Sequence, residues 1–239
     1  MAKTIRRGQK SPSAQEPKID KFRTIRRSIN VKSRTEGQSN YIQLIEDNDI
    51  VICNGLAGTG KTLIAVGQAL SLMHRYPEVY KKLIMVRPYV HIQGEDMGYL
   101  PGDIDEKMKP FVAPMFDSLN FFLNQGEMQT LIDSGTIEVI PIAFMRGRTF
   151  NNAIIIFDEA QNSRWSHMKM FLTRIGFNTK AIVEGDITQS DLPREHQEDN
   201  GLLVAAARLE GIKGIGLVSL EQEDIVRSPI VRRILERLE

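Results

Sequence analysis

The sequence predicts an α/β protein built on a mostly parallel sheet with helices on both faces, and three observations carry that prediction. From Asp49 onward, short apolar runs alternate with longer helical patterns, the order expected of strand–helix–strand units. Most of the runs are near-continuous rather than alternating, as in strands buried on both faces. Glycines, carboxylates and polar residues follow the ends of the runs, where open parallel sheets bind ligands.

In chain order, the first apolar run predicts a strand over 50–54, and the amphipathic stretch behind it a helix over 61–74. A second strand is expected at 83–86. The segment 88–102 carries Gly94, Gly98, Pro101 and Gly102 and reads as a long loop, of the kind that is often functional. A helix over 104–124, strands at 137–140 and 154–157, and a helix over 164–174 follow. The chain closes with a strand at 181–184, a helix over 201–209, a strand at 215–220 and a helix over 229–238.

With 239 residues, 41% hydrophobic and 26% charged, the chain has the composition of one soluble globular domain, assigned to 35–239. That length buries a sizeable core without disulfides. The single cysteine, Cys53, excludes an internal bridge and a cysteine zinc site, and fits a reducing, cytoplasmic setting. The four histidines, at 74, 91, 167 and 196, show no metal-ligand spacing. Neither an apolar run of about 18 residues nor a signal-peptide pattern occurs, so no membrane partner is expected. The net charge of +1 hides an asymmetry: residues 1–34 hold 11 of the 31 Lys+Arg and 2 of the 30 Asp+Glu, a local +9 against −8 elsewhere. This stretch reads as a disordered basic arm, either a solubilising tail or an attractor of nucleic acid.

The strongest chemical signal is Gly55-Leu56-Ala57-Gly58-Thr59-Gly60-Lys61-Thr62, which fits G-x-x-x-x-G-K-[ST] between a strand and a helix. Its glycines let backbone N–H groups face phosphates at the helix's positive end. Lys61 is expected on the β- and γ-phosphates of ATP and Thr62 on Mg2+. Ala153-Ile154-Ile155-Ile156-Phe157-Asp158-Glu159 supplies the acidic pair that such a loop needs, with Asp158 as second metal ligand and Glu159 as catalytic base. Gly185-Asp186-Ile187-Thr188-Gln189 ends the next strand. Gln189 is placed to sense the γ-phosphate, and Asp186 to order either the loop or the attacking water. Gln38, upstream of the glycine-rich loop, is a candidate reader of the adenine edge. Trp165 and Phe171 read as core or subunit contacts rather than base-stacking platforms.

Taken together, these motifs resemble the PhoH family, ATPases similar to the first motor core of superfamily 1 helicases. The resemblance runs from about Gln38 to the C-terminus. It rests on the loop at 55–62, Arg87-Pro88, Gly98-Tyr99-Leu100-Pro101-Gly102-Asp103 with Glu106-Lys107-Met108, Met145-Arg146-Gly147-Arg148-Thr149-Phe150 within 141–162, and 185–193. It implies a RecA-like fold, ATP binding and hydrolysis, and an adenine-reading role for Gln38. Two positions depart from the common pattern: Glu184 stands where many members have threonine, and Ser228 where many have histidine.

The function expected is an ATPase that couples hydrolysis to conformational change on RNA or DNA. The alternatives are a P-loop kinase or a non-hydrolysing ATP-gated scaffold. Helicases of that superfamily close ATP between two motor cores, and this chain has room for one, so a homo-oligomer is expected to supply the missing wall. Head-to-tail repetition of such a contact closes a ring, with a hexamer favoured by analogy. Arg146, Arg148 and Arg227 are the candidate arginines acting in trans on the γ-phosphate.

Overall fold

The structure is a computed structural model that describes residues 28–88, 104–226, 230 and 237, with 104–112 described by backbone alone. Six strands form one sheet: β1 (Ile50–Gly55), β2 (Lys82–Arg87), β3 (Ile137–Pro141), β4 (Ala153–Phe157), β5 (Lys180–Gly185) and β6 (Ile215–Leu220). Their order is β3-β2-β4-β5-β1-β6, and every pairing is parallel. Around them lie α1 (Glu36–Asp47), α2 (Lys61–Arg75), α3 (Ile104–Phe122), α4 (Gln125–Asp133), α5 (Trp165–Leu172) and α6 (Gly201–Leu209). This is the RecA-like α/β fold that the sequence predicts.

Successive strand side chains point to opposite faces, and here both faces are covered. Val51, Cys53, Leu83, Met85, Ile154, Ile156 and Ile182 pack against buried residues of α1 to α4, among them Tyr41, Leu70, Met115 and Leu131. Their neighbours Ile52, Ile84, Val86, Ile155, Phe157, Ala181 and Val183 pack on the other side against Met168 and Phe171 of α5 and Leu202 and Ala205 of α6. Phe171 is wholly buried, with its ring 4.8 Å from that of Phe157. Trp165 packs beside it, partly buried, under Arg208. Both are core contacts within the chain.

Two helices lie outside the predicted set. The first, α1, begins where Thr35 Oγ1 accepts from Gln38 N at 3.2 Å, and it buries only Gln38, Tyr41 and Ile45. The second, α4, separates from α3 because Asn124 and Glu127 form a capping box, each side chain accepting from the other's backbone at 2.9 Å. The expected arm is also shorter at its inner end. Ile29 is buried in the core and Val31 packs against it, so 28–34 are tied down by apolar contacts that net charge conceals. The rest of the arm, the loop at 89–103, Arg227, Ser228 and most of the predicted last helix lie outside the described residues. Among the described residues no helix is long and apolar enough to cross a membrane.

Register fixes what meets at the sheet's C-terminal edge. Asn54 lies opposite Gly185, Cys53 opposite Glu184, and Val86 opposite Phe157. The ends of β1, β2, β4 and β5 therefore converge, bringing together residues from four distant stretches of sequence.

Candidate nucleotide site

Four carbonyls of the loop after β1 are held by hydrogen bonds. The carbonyls of Gly55 and Leu56 accept from Lys61 Nζ, that of Gly58 from Val226 N (3.0 Å), and that of Thr59 from Gln38 Nε2 (2.9 Å). Gly58 and Gly60 sit at φ 85° and 79°, a left-handed region in which a side chain is strained. Gly60 offers no side-chain cap to α2, and the first intrahelical bond runs from Ile64 N to its carbonyl. The first-turn N–H groups of α2, which a helix cannot satisfy internally, are left to face an anion, and the helix dipole adds positive potential there.

The acidic pair approaches from β4. Asp158 N donates to Val86 O (2.9 Å), extending the strand pairing to the edge of the site. Thr62 Oγ1 donates to Asp158 Oδ1 at 3.4 Å, so the two expected metal ligands face each other. Asp158 is 6% exposed, and burial pushes its carboxyl up from 3.8 to about 6, with the Glu159 charge adding to the rise and the Arg87 guanidinium opposing it. Glu159 is more open, with a side chain 37% exposed, and holds a left-handed backbone at φ 53°. Its Oε1 lies 3.3 Å from Arg87 Nη2, and its Oε2 accepts from Gln161 Nε2 at 2.5 Å.

Glu184 is a third carboxyl at the site. It is wholly buried, its Oε2 accepts from Tyr41 OH at 3.4 Å, and its Oε1 has no hydrogen-bond partner. Burial raises its pKa well above the usual value, and the Asp158 charge raises it further, against the pull of the Lys61 ammonium and the Thr62 hydroxyl. The site thus holds an unpartnered buried oxygen on Glu184, a residue that interacts with Thr62 and Asp158. Hard oxygen donors of this kind fit Mg2+. Among the described residues no group of three His, Cys, Asp or Glu could hold a metal alone, so water and phosphate oxygens would complete the shell.

Asp186 orders the loop after β5. Its Oδ1 accepts from Thr188 N (3.0 Å) and Oγ1 (2.6 Å), and its Oδ2 from Ala57 N (2.9 Å). Asp186 N donates to Gln161 Oε1 (3.1 Å), and Gly185 allows the approach, since a Cβ there would fall 2.3 Å from that oxygen. Gln189 ends the turn exposed at the same edge. Gln38 is buried, its Oε1 accepting from Arg34 N (2.8 Å) and its Nε2 donating to the loop. These bonds use one of its two donors and one of its two acceptor positions.

The candidate trans arginines separate. Arg148 is engaged within the chain, bonded to Glu138 at 2.7 Å and stacked over Phe150 at 4.6 Å. Arg146 is exposed and stands near His167, whose pKa is lowered by burial and then by Arg146 and Arg164. Sequence reasoning gives no role to Arg87, Gln161, Glu184 or Tyr41. A charged residue ending an apolar run is the available signal at Arg87, as it is at Asp158. Nothing in the sequence signals the Tyr41–Glu184 pair, 143 residues apart.

Comparison with known proteins bears on this site. The model of a family described as PhoH-like protein matches residues 30–239. The PhoH-like protein of Bacillus subtilis (strain 168) is 45% identical over 210 residues, covering 88% of this chain and 64% of that one. Protein PhoH of Escherichia coli (strain K12) is 42% identical over 208 residues, covering 86% and 57%. The chain thus spans less than two thirds of the length of these relatives. Among solved structures, the large terminase of a thermophilic bacteriophage is similar in fold, with a TM-score of 0.52 at 13% identity over 87% of this chain and 51% of that one. The same terminase in complex with ADP gives 0.50 at 13% identity, over 86% and 50%.

Proposed function

The chain belongs to the PhoH family, and we propose that it binds ATP at the loop of residues 55–62, hydrolyses it, and couples turnover to conformational change on RNA or DNA. The observation that carries this reading is the acid pair. Asp158 meets Thr62, while Glu159 keeps a carboxylate open to water one residue further on. The large terminase of similar fold was solved with ADP, a ligand of the class that this loop would cradle.

Lys61 exchanges the carbonyls of Gly55 and Leu56 for β- and γ-phosphate oxygens, trading neutral acceptors for charged ones. Thr62 Oγ1 and Asp158, directly or through water, would hold Mg2+, which would supply positive charge against the phosphates. Glu159 takes a proton from water as the water oxygen bonds to the γ-phosphorus and the bond to the β–γ bridging oxygen breaks, releasing ADP and phosphate. Asp186 holds the neighbouring loop to Ala57 N, and Gln189 lies on that loop to sense the γ-phosphate. The remaining N–H and lone pair of Gln38 suit an adenine edge.

An exposed Arg146, or Arg227, would reach a neighbouring subunit's γ-phosphate in a homo-oligomeric ring. Arg148 would first have to leave Glu138. The nucleic-acid partner is supported by the +9 charge of residues 1–34. The test is phosphate release from Mg2+–ATP, alone and with single- and double-stranded RNA and DNA. Stimulation by one of these polymers is expected. Label passing from ATP to an alcohol acceptor, with no free phosphate, would instead assign a kinase.

A further inference from the structure

We infer that Arg87 is a positioning residue that holds the Glu159 carboxylate away from the phosphate site until magnesium and nucleotide displace it; this rests on the hydrolytic reading above. The geometry of the sheet carries the argument. β4 lies between β2 and β5, and the phosphate-binding loop follows β1 on the far side of β5. Arg87 ends β2, so a pull from its guanidinium draws Glu159 away from that loop. Its Nη2 lies 3.3 Å from Glu159 Oε1, and its Nε lies 3.9 Å from Asp158 Oδ2. One guanidinium thus spans the metal ligand and the base, supplying the positive charge that a cation would bring.

The strand that carries Arg87 is fixed beside the acid pair. Val86 pairs with Phe157, and Asp158 N donates to Val86 O, so the two strands stay joined up to the residues concerned. Glu159 is the strained partner. Its left-handed backbone is costly for a side chain and persists only where its surroundings hold it. A second tether pulls the other way. Gln161 holds Glu159 Oε2 and also accepts from Asp186 N, while Asp186 Oδ2 accepts from Ala57 N in the phosphate-binding loop. Glu159 therefore sits between a cation on the far side and a chain of bonds running to the nucleotide. A cation held at Asp158 would repel the guanidinium, so filling the site would weaken the far tether and leave the near one.

The test is R87Q in the full chain, with two readouts. In phosphate release without nucleic acid, kcat should rise at least about threefold, with KM for ATP changed less than kcat, and the rise should vanish in R87Q/E159Q. In binding of a fluorescent non-hydrolysable ATP analogue titrated with Mg2+, half-saturating Mg2+ should fall severalfold, because a competing charge has gone. R87K keeps the charge but not the fork, so it should leave half-saturating Mg2+ near the wild-type value while raising kcat partway. It also carries the test if R87Q fails to fold. A fall in kcat, or a kcat unchanged in both variants, overturns the inference. A wild-type chain that releases no phosphate under any condition would overturn the hydrolytic reading instead.

Discussion

Asp158→Asn should make the nucleotide-free protein more stable at neutral pH while destroying its magnesium dependence. In the fold, burial raises the Asp158 carboxyl from 3.8 to about 6. That is a little over two units, and at about 1.36 kcal/mol per unit the ionised side chain costs the folded state at most ~3 kcal/mol at pH 7. The sign follows from proton counting. Between the two pKa values the folded chain holds a proton that the unfolded chain has lost, so stability is greatest below about pH 4 for this group and falls as pH rises to about 6. Asparagine keeps the shape without the charge, and removing that charge also relieves Glu184, whose pKa it raises. The Arg87 attraction already opposes burial in setting that carboxyl at about 6, so ~3 kcal/mol is the net cost with the contact in place. The assay is urea unfolding in chelator from pH 4 to 8, with the variant gaining on wild type as pH rises through 4 to 6. A variant no more stable than wild type at pH 7, with an unchanged pH slope, would refute the claim that the site stores unfavourable charge for a cation.

Lys61→Ala should weaken binding of a fluorescent ATP analogue by roughly 10- to 100-fold, the worth of a hydrogen bond to a charged group; unchanged affinity would contradict the loop assignment. Glu159→Gln should leave that binding intact and lower steady-state phosphate release by about a hundredfold or more, the usual contribution of a general base. A chain beginning at Ser28 removes nine of the eleven cations of 1–34. It should keep basal ATP hydrolysis, lose nucleic-acid affinity and flatten the slope of log affinity against log salt. A chain beginning at Thr35 also removes Ile29 and Val31 from the core and should unfold at a lower temperature than the Ser28 chain.

What is legible in the sequence is what is local. The loop at 55–62 and the pair Asp158-Glu159 each lie within a few residues of an apolar strand, so spacing alone places them. The strands β4 and β5 are readable because both faces of the sheet are buried and each is close to an unbroken apolar run. By contrast α1 and α4 escape a reading of periodicity: α1 buries three side chains, one of them Gln38, and α4 buries only Leu131. Their start signals, Thr35 and the Asn124–Glu127 pair, are short polar patterns with little apolar periodicity behind them. The Arg87 tether on Glu159 is out of reach for a different reason. Arg87 stands on another strand, far off in sequence, and is brought alongside only by the β2–β4 pairing.

The inner end of the basic arm shows why averaged composition fails at a boundary. Across 1–34 the charge is so one-sided that isolated apolar side chains look incidental, yet Ile29 joins the buried core, and Val31 packs on it near Gly67 of α2 and Phe122 of α3. Packing there also serves the site. It places Arg34 so that its N–H reaches Gln38 Oε1, and the same amide donates to Thr59 O. The Thr35 hydroxyl, next along the chain, bonds to Asp224, just before Val226, whose N–H holds the Gly58 carbonyl. The root of the arm is thus joined to the phosphate-binding loop by two short paths, one through α1 and one through the stretch after β6. Both end on carbonyls that these hydrogen bonds hold in place.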